Sequence, residues 1–219
     1  MPFTVESYSD TPFQHWVLRD LCRAYLFDIP PKSWHGWLRY HNSLESKRTT
    51  RHMNCLDPLL QGIFHDLICL VRPLEELTGI DGLEADPWWH GSGLHVMGPD
   101  DFVQGHVDYE IHPEAPHLER RLSLVLCLSP AWEASWGGET LLMDGNGKTI
   151  EAIVPSPGKA LLFENGPASY HGVRVIADHA PERVTAAVYY LAPRRETASR
   201  RRALFFPNRD EPNVPREVS

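Results

Sequence analysis

Cysteine is scarce in this chain. Cys22, Cys55, Cys69 and Cys127 lie far apart and none belongs to a CxxC pair, which excludes a zinc knuckle and a dense disulfide framework and leaves buried free thiols. Long apolar runs are missing too. No stretch approaches the ~18 apolar residues that a bilayer crossing needs, and residues 1–13 lack a basic segment followed by an apolar one. No membrane partner is expected, and the expected compartment is the reducing cytoplasm. Positive charge is in deficit, with 21 Lys and Arg against 29 Asp and Glu for a net charge of -8, so the field of the whole molecule does not draw in nucleic acid. No internal repeat is visible. What remains is an ordinary globular composition whose 219 residues fit one domain.

Punctuation divides the chain. The 19 Pro and 15 Gly fall mostly after residue 79, so helices are expected first and short, turn-bounded strands afterwards. Between Thr11 and Phe27, Phe13, Trp16, Val17, Leu21 and Tyr25 recur at steps of three and four, the period of an amphipathic helix ended by Pro30 and Pro31. A second helix is expected from Pro58 to Leu77, with Leu59, Ile63, Leu67, Leu70 and Leu74 on one stripe, Gly79 as its stop and Pro73 as a possible kink. The basic, aperiodic stretch from Leu44 to His52 reads as a loop, either solvated or closing over a substrate. Candidate strands follow at 93–97, 102–107, 122–128, 140–143, 149–154, 159–163, 171–175 and 183–191. Helices followed by many short strands point to an α+β, mostly-β layered fold, most economically a jelly roll. The Arg- and Pro-rich end from Arg194 is expected to be a loose tail whose Leu204, Phe205 and Phe206 fold back on the domain.

Twelve histidines are too many for number to decide anything, but spacing does. His106 and Asp108 stand two apart in a candidate strand, so they project from one face and can share an ion. His171, opening a later strand, is the best third ligand. Two His and one carboxylate on one side of a metal leave three positions open, a geometry suited to non-haem Fe(II) that must also bind a cosubstrate and O2. Farther on, Arg183 and Thr185 alternate with Val184 and Ala186. Arg and Thr therefore share a strand face, where a guanidinium fork and a hydroxyl suit a carboxylate.

Taken in order, GLHVM at 93–97, GHVD at 105–108, RRLSLVLCLS at 120–129, GGET at 137–140, PGKALLF at 157–163, SYHGV at 169–173 and RVT at 183–185 resemble the 2-oxoglutarate and Fe(II)-dependent oxygenases, in particular their prolyl 4-hydroxylase-like branch. The resemblance implies a double-stranded β-helix, or distorted jelly roll, with supporting N-terminal helices. It divides a single domain over 1–219 into helical support at 1–78, a catalytic core at 79–193 and a basic tail at 194–219. It further implies His106, Asp108 and His171 as iron ligands and Arg183 with Thr185 as the site of the 2-oxoglutarate C5 carboxylate. Animal and algal prolyl hydroxylases usually carry Lys where this chain has Arg183, which many bacterial relatives share. The Tyr that such hydroxylases tend to place nine residues before the first ligand is Met97 here. His95, on the same strand face, either takes over that polar contact or is a core histidine.

The reaction so implied is hydroxylation of an unactivated C–H, with O2 and 2-oxoglutarate consumed and succinate and CO2 released. An intact His-x-Asp favours it, since related halogenases replace this carboxylate with Gly. With no basic nucleic-acid face and no second module, a small-molecule substrate is expected, an amino acid or biosynthetic intermediate. A protein side chain is the alternative, and a cupin-like metal-binding module without catalysis is the other; Arg183 and Thr185 speak against the latter. Oligomeric state is left open. Trp88 to His90 and Trp132 to Trp136 read as rim packing or pocket walls, Arg120 and Arg121 equally as substrate-carboxylate anchors or partners of acids, and Tyr109 as packing, unless a bend after the motif brings it to the site. His112, His117 and His179 read as exposed or structural.

Overall fold

A computed structural model of the chain describes residues 2–21, 36–206 and 216–218. The elements run β1 (Thr4–Ser9), β2 (His15–Arg19), β3 (Trp37–His41), β4 (Glu45–Thr50), α1 (Pro58–Ile68), α2 (Val71–Thr78), β5 (Glu84–Ala85), β6 (Gly93–Met97), β7 (Phe102–Val107), β8 (Leu118–Cys127), β9 (Thr140–Met143), β10 (Thr149–Ile153), β11 (Ala160–Glu164), β12 (Tyr170–Val173), β13 (Arg183–Pro193), β14 (Leu204–Phe205) and β15 (Arg216–Val218). The strands form one curled sheet in the order β1-β2-β11-β8-β13-β6-β4-β7-β12-β9-β10. It is a mostly-β, distorted jelly roll of the double-stranded β-helix type, as the motifs imply.

Alternation along the strands sets up two environments. On β13, Val184, Ala186, Val188 and Tyr190 enter the main hydrophobic core, while Arg183, Thr185, Ala187 and Tyr189 face a cavity. On β6, Leu94 and Val96 face the core and His95 and Met97 the cavity. On β8, Leu122, Leu124 and Leu126 do the former. The core face is covered by α1, whose Leu60, Ile63, Phe64 and Leu67 are buried at helical spacing. Tyr190 Oη donates to the Leu67 carbonyl at 2.6 Å and ties this helix to the sheet. Because that carbonyl also accepts from Leu70 N, Tyr190→Phe orphans nothing, and an expected loss of ~1 kcal/mol is checked by urea unfolding.

The helix expected from Pro58 to Leu77 forms as two. Asp57 caps α1 by accepting from the Leu59 and Leu60 N–H groups, Pro58 occupies its first turn, and Gly79 closes α2 in the left-handed conformation. In a continuous helix the ring of Pro73 would meet the Cys69 carbonyl four residues back. The chain breaks at Cys69 and Leu70, ahead of Pro73 rather than at it.

Three further expectations are corrected. No helix begins at Thr11: His15–Arg19 is a strand paired with β1 and β11, and residues 22–27 of the expected helix lie outside the described residues. His15 through Leu18 are all buried, and a strand covered on both faces mimics helical spacing. Helical support thus comes from residues 58–78 alone among the described residues. The stretch from Leu44 to His52 is no loop or lid but contains β4, which pairs with β3, β6 and β7. It is polar because Glu45 and Lys47 line the cavity and Ser46 donates to buried Asp101 at 2.6 Å. The described part of the C-terminal segment is not loose either. Leu204 and Phe205 do fold back, pairing with Val107 and His106, and Arg216–Val218 pairs with β3.

Candidate active site

A cavity of about 770 Å³ opens inside the curl. The antiparallel pairing of β7 with β12 puts His171 directly across from His106, and Asp108 follows at the end of β7. His106 Nε2 stands 3.7 Å from Asp108 Oδ1, and His171 Nε2 3.9 Å from Asp108 Oδ2. One potential ligand atom from each residue lies within 4.8 Å of the others. Each imidazole is oriented by a backbone carbonyl: His106 Nδ1–H donates to Gln104 O at 3.0 Å and His171 Nδ1–H to Ser169 O at 2.9 Å. That fixes the tautomer with the Nε2 lone pair free for a metal. Burial, then the neighbouring His106, pushes the His171 imidazole down to about 4, so it is a neutral donor at pH 7. Phe205 stacks on the His106 ring at 4.9 Å and Phe163 lies 4.6 Å from the His171 ring.

Asp108 is held from behind. Arg120 Nη1 reaches its Oδ2 at 3.0 Å, and in the amide orientation that satisfies its neighbours Asn165 Nδ2 donates to the same oxygen at 3.3 Å. Burial by itself would raise the Asp108 carboxyl, but the Arg120 guanidinium, with the two imidazoles beside it, outweighs that and holds the group well below the usual carboxylate range. Arg120 lies sandwiched between the rings of Tyr109 and Tyr189, at 3.9 and 3.6 Å from their centroids, and donates to the His90 carbonyl at 3.0 Å. Of the two readings open for Arg120, the acid partner is the one formed, and that acid is a candidate ligand. Arg121 turns the other way to Glu164 at 2.8 Å. Tyr109 does pack, but on Arg120 at the cavity wall.

At another part of the cavity Arg183 is 4% exposed and Thr185 1%. Arg183 Nη2 donates to Thr140 Oγ1 at 3.0 Å, yet its Nε and the Thr185 hydroxyl have no partner. Among the described residues no carboxylate comes within ion-pair distance of this guanidinium. Burial lowers its pKa. An unpaired buried cation beside an unpaired buried hydroxyl is costly unless an anion completes it. The pair fits the distal carboxylate of a dicarboxylate, as the triad fits a divalent metal.

His95 faces the same cavity, opposite Thr185 in the strand pairing. Its Nε2–H donates to Gly91 O at 3.1 Å, and burial with the nearby Lys47 pushes the imidazole down to about 3. Met97 is buried against Leu44, Val103 and Ile176. Trp132 and Trp136 pack on that same cluster. His112 is wholly buried and structural: its Nδ1 accepts from Glu114 N and Ala115 N, and its Nε2 faces Asp86 at 3.4 Å. Asp86 in turn accepts from Trp88 N and His90 N, pinning the aromatic loop. His117 and His179 are exposed. Sequence reasoning missed the Asn165 contact and the Tyr109–Arg120–Tyr189 stack, which join residues far apart in the chain.

Residues 92–191 match the family described as the 2OG-Fe(II) oxygenase superfamily, a span containing all five residues of the two clusters. Prolyl 3-hydroxylase OGFOD1 of Mus musculus is 27% identical over 79 residues, which covers 34% of this chain and only 14% of that protein. Among solved structures, a viral collagen prolyl hydroxylase from Paramecium Bursaria Chlorella virus-1 in complex with 2OG aligns with a TM-score of 0.54 at 15% identity, covering 81% of this chain and 96% of its own. A prolyl-4-hydroxylase of Pseudomonas putida gives 0.52 at 16% identity, over 72% and 77% of the two chains. HygX of Streptomyces hygroscopicus, with nickel, 2-oxoglutarate and hygromycin B bound, gives 0.50 at 11% identity, over 85% of each. At such identities these structures share the fold.

Proposed function

From the premise that this chain carries the core of a 2OG-Fe(II) oxygenase of the prolyl hydroxylase-like branch, we propose that it hydroxylates an unactivated C–H of a small molecule. His106, Asp108 and His171 hold the iron, and Arg183 with Thr185 holds the C5 carboxylate of 2-oxoglutarate. The observation that carries this reading is the coexistence, in one cavity, of the convergent triad and the unpaired buried Arg183 and Thr185. A metal-binding barrel without catalysis has no use for the second feature.

When bound, Fe(II) and 2-oxoglutarate supply the activation of O2, with succinate and CO2 as the spent cosubstrate. The residues of the chain supply orientation. Arg183, buried beside Thr185, would hold one carboxylate of the cosubstrate and so orient it within the cavity that contains the triad. Phe205 and Phe163 lie against the His106 and His171 rings and give the cavity an apolar patch that limits water at the triad. His95 walls the cosubstrate end without donating to it, because its one N–H is engaged by Gly91. The small-molecule reading is supported by a concave pocket whose volume is in the ordinary range for such ligands, closed on one side by β3, β4 and the C-terminal segment. The local similarity to a prolyl 3-hydroxylase favours a second reading, a peptide side chain. Anaerobically purified protein given Fe(II), 2-oxoglutarate and a metabolite panel should release succinate above the uncoupled background with one or more small molecules. Stimulation by proline-containing peptides alone would favour the second reading.

Arg120 is a positioning residue, acting through Asp108. Replacing it with Gln is expected to weaken metal binding by about 10- to 100-fold, measured by anaerobic metal titration. Lys should restore the charge but not the planar stack between Tyr109 and Tyr189, and so recover only part. Wild-type affinity in Arg120→Gln would reduce Arg120 to packing.

A further inference from the structure

The charge of the cavity contradicts the charge of the protein. In a chain of net charge -8, Lys47, Arg120, Arg183, Arg201 and Arg202 line the cavity, against Glu45 and Asp108 among the described residues. A divalent metal and a doubly charged cosubstrate cancel each other and leave this excess in place. Lys47 is paired with Glu45 at 2.6 Å, Arg120 with Asp108, and Arg183 is assigned to the cosubstrate. Arg201 and Arg202 differ from these: both are exposed, and neither has a hydrogen bond or ion pair among the described residues.

They are also held in place from both sides. Upstream, Ser199 N and Arg200 N donate to Glu110 Oε2 at 3.1 and 3.0 Å, Glu110 N and Ile111 N return to Arg200 O at 2.9 Å each, and Arg200 Nη1 donates to the Asp108 carbonyl at 3.0 Å. Downstream, β14 pairs with the end of β7, Phe205 stacks on His106, and Phe206 N donates to Gly105 O at 2.7 Å. Between these anchors Arg201, Arg202 and Ala203 form a short arch lining the cavity. The anchoring positions two guanidinium groups that have no partner among the described residues on the wall of the cavity that contains the candidate ligands, where the cleft focuses their field. Guanidinium forks match carboxylate and phosphate oxygens.

We infer that the Arg201–Arg202 arch is the substrate-recognition element of this site and that the primary substrate is a small molecule carrying its own carboxylate or phosphate. The inference rests on the oxygenase reading for the location of the chemistry, but binding at the arch is separable from it. The test uses the Fe(II) holoenzyme under nitrogen with saturating 2-oxoglutarate, so that Arg183 is occupied and no turnover occurs. Phenyl phosphate, benzoate and neutral benzyl alcohol are titrated calorimetrically into wild type, Arg201→Ala/Arg202→Ala and Arg201→Lys/Arg202→Lys. Wild type should bind at least one anion about tenfold or more tightly than the alcohol, and the tighter anion distinguishes phosphate from carboxylate. The Ala pair should bring that anion to the level of the alcohol with 2-oxoglutarate affinity unchanged, and the Lys pair should retain part of the preference. Equal binding of anion and alcohol by wild type, no anion binding at all, or wild-type anion affinity in the Ala pair overturns the inference. Failure of wild type to bind 2-oxoglutarate strikes the oxygenase reading instead, and the anion titrations are still read on their own.

Discussion

Replacing His106 or His171 with Ala should abolish turnover and weaken Fe(II) binding by more than the about 10- to 100-fold typical of losing an outer partner. Each change removes one of the three converging donor atoms, in a site where both imidazoles are oriented by backbone carbonyls that set the tautomer. Both rings are only partly buried, 13% exposed each, so the fold should survive. Asp108→Ala should be equally inactive for a compound reason. It also strands the Arg120 guanidinium, itself 3% exposed, and leaving a buried charge unpaired costs ~3 to 5 kcal/mol. Asp108→Ala should therefore lower the melting temperature as well as the activity, whereas the two His variants should lower activity at near-normal melting temperature. Metal titration beside thermal unfolding separates the two. Full activity in His171→Ala would remove it from the ligand set.

Arg183→Ala should raise the 2-oxoglutarate requirement by about 30-fold or more. The guanidinium lies in a recess where, among the described residues, only the Thr140 hydroxyl satisfies it, so a carboxylate bound there gains a desolvated, charge-assisted partner. Truncation then forfeits ~2 to 5 kcal/mol, at ~1.4 kcal/mol per tenfold. Fe(II) affinity should hold, because Arg183 is not one of the converging donors. Arg183→Lys should fall between, keeping charge without the fork. Thr185→Val should cost least, since it removes one neutral hydrogen bond. The measurement is 2-oxoglutarate titration into Fe(II)-loaded variants. Wild-type affinity in Arg183→Ala would place the carboxylate elsewhere.

The convergence of the candidate site residues was legible in the sequence because strands expose their chemistry by alternation. His106 with Asp108 and Arg183 with Thr185 are each two apart, and the strands at 93–97, 102–107 and 140–143 begin and end where Gly, Pro and Asp punctuation places them. Elements broke the pattern where burial was not one-sided. β2 is covered on both faces, so Phe13, Trp16, Val17 and Leu21 read as a helical stripe. β4 turns Glu45 and Lys47 toward the cavity and Ser46 toward Asp101, leaving no apolar signal to read. Partners joined only by folding were also invisible. Nothing in ArgArg at 120 and 121 says that the first is clamped between Tyr109 and Tyr189 while the second faces Glu164. The fold-back of Leu204, Phe205 and Phe206 was legible from their apolar character, but nothing in the basic tail says that Glu110 and β7 fix it beside the triad.

The most direct measurement of the central claim is a sequential anaerobic calorimetric titration, Fe(II) first and 2-oxoglutarate second, on wild type, His171→Ala and Arg183→Ala. One Fe(II) per chain should bind wild type, followed by one 2-oxoglutarate that binds far more weakly when iron is left out. His171→Ala should lose the first step and, with it, the second; Arg183→Ala should keep the first and lose most of the second. If 2-oxoglutarate binds with the same affinity with and without Fe(II), or binds both variants as it binds wild type, the triad and Arg183 do not form one oxygenase site.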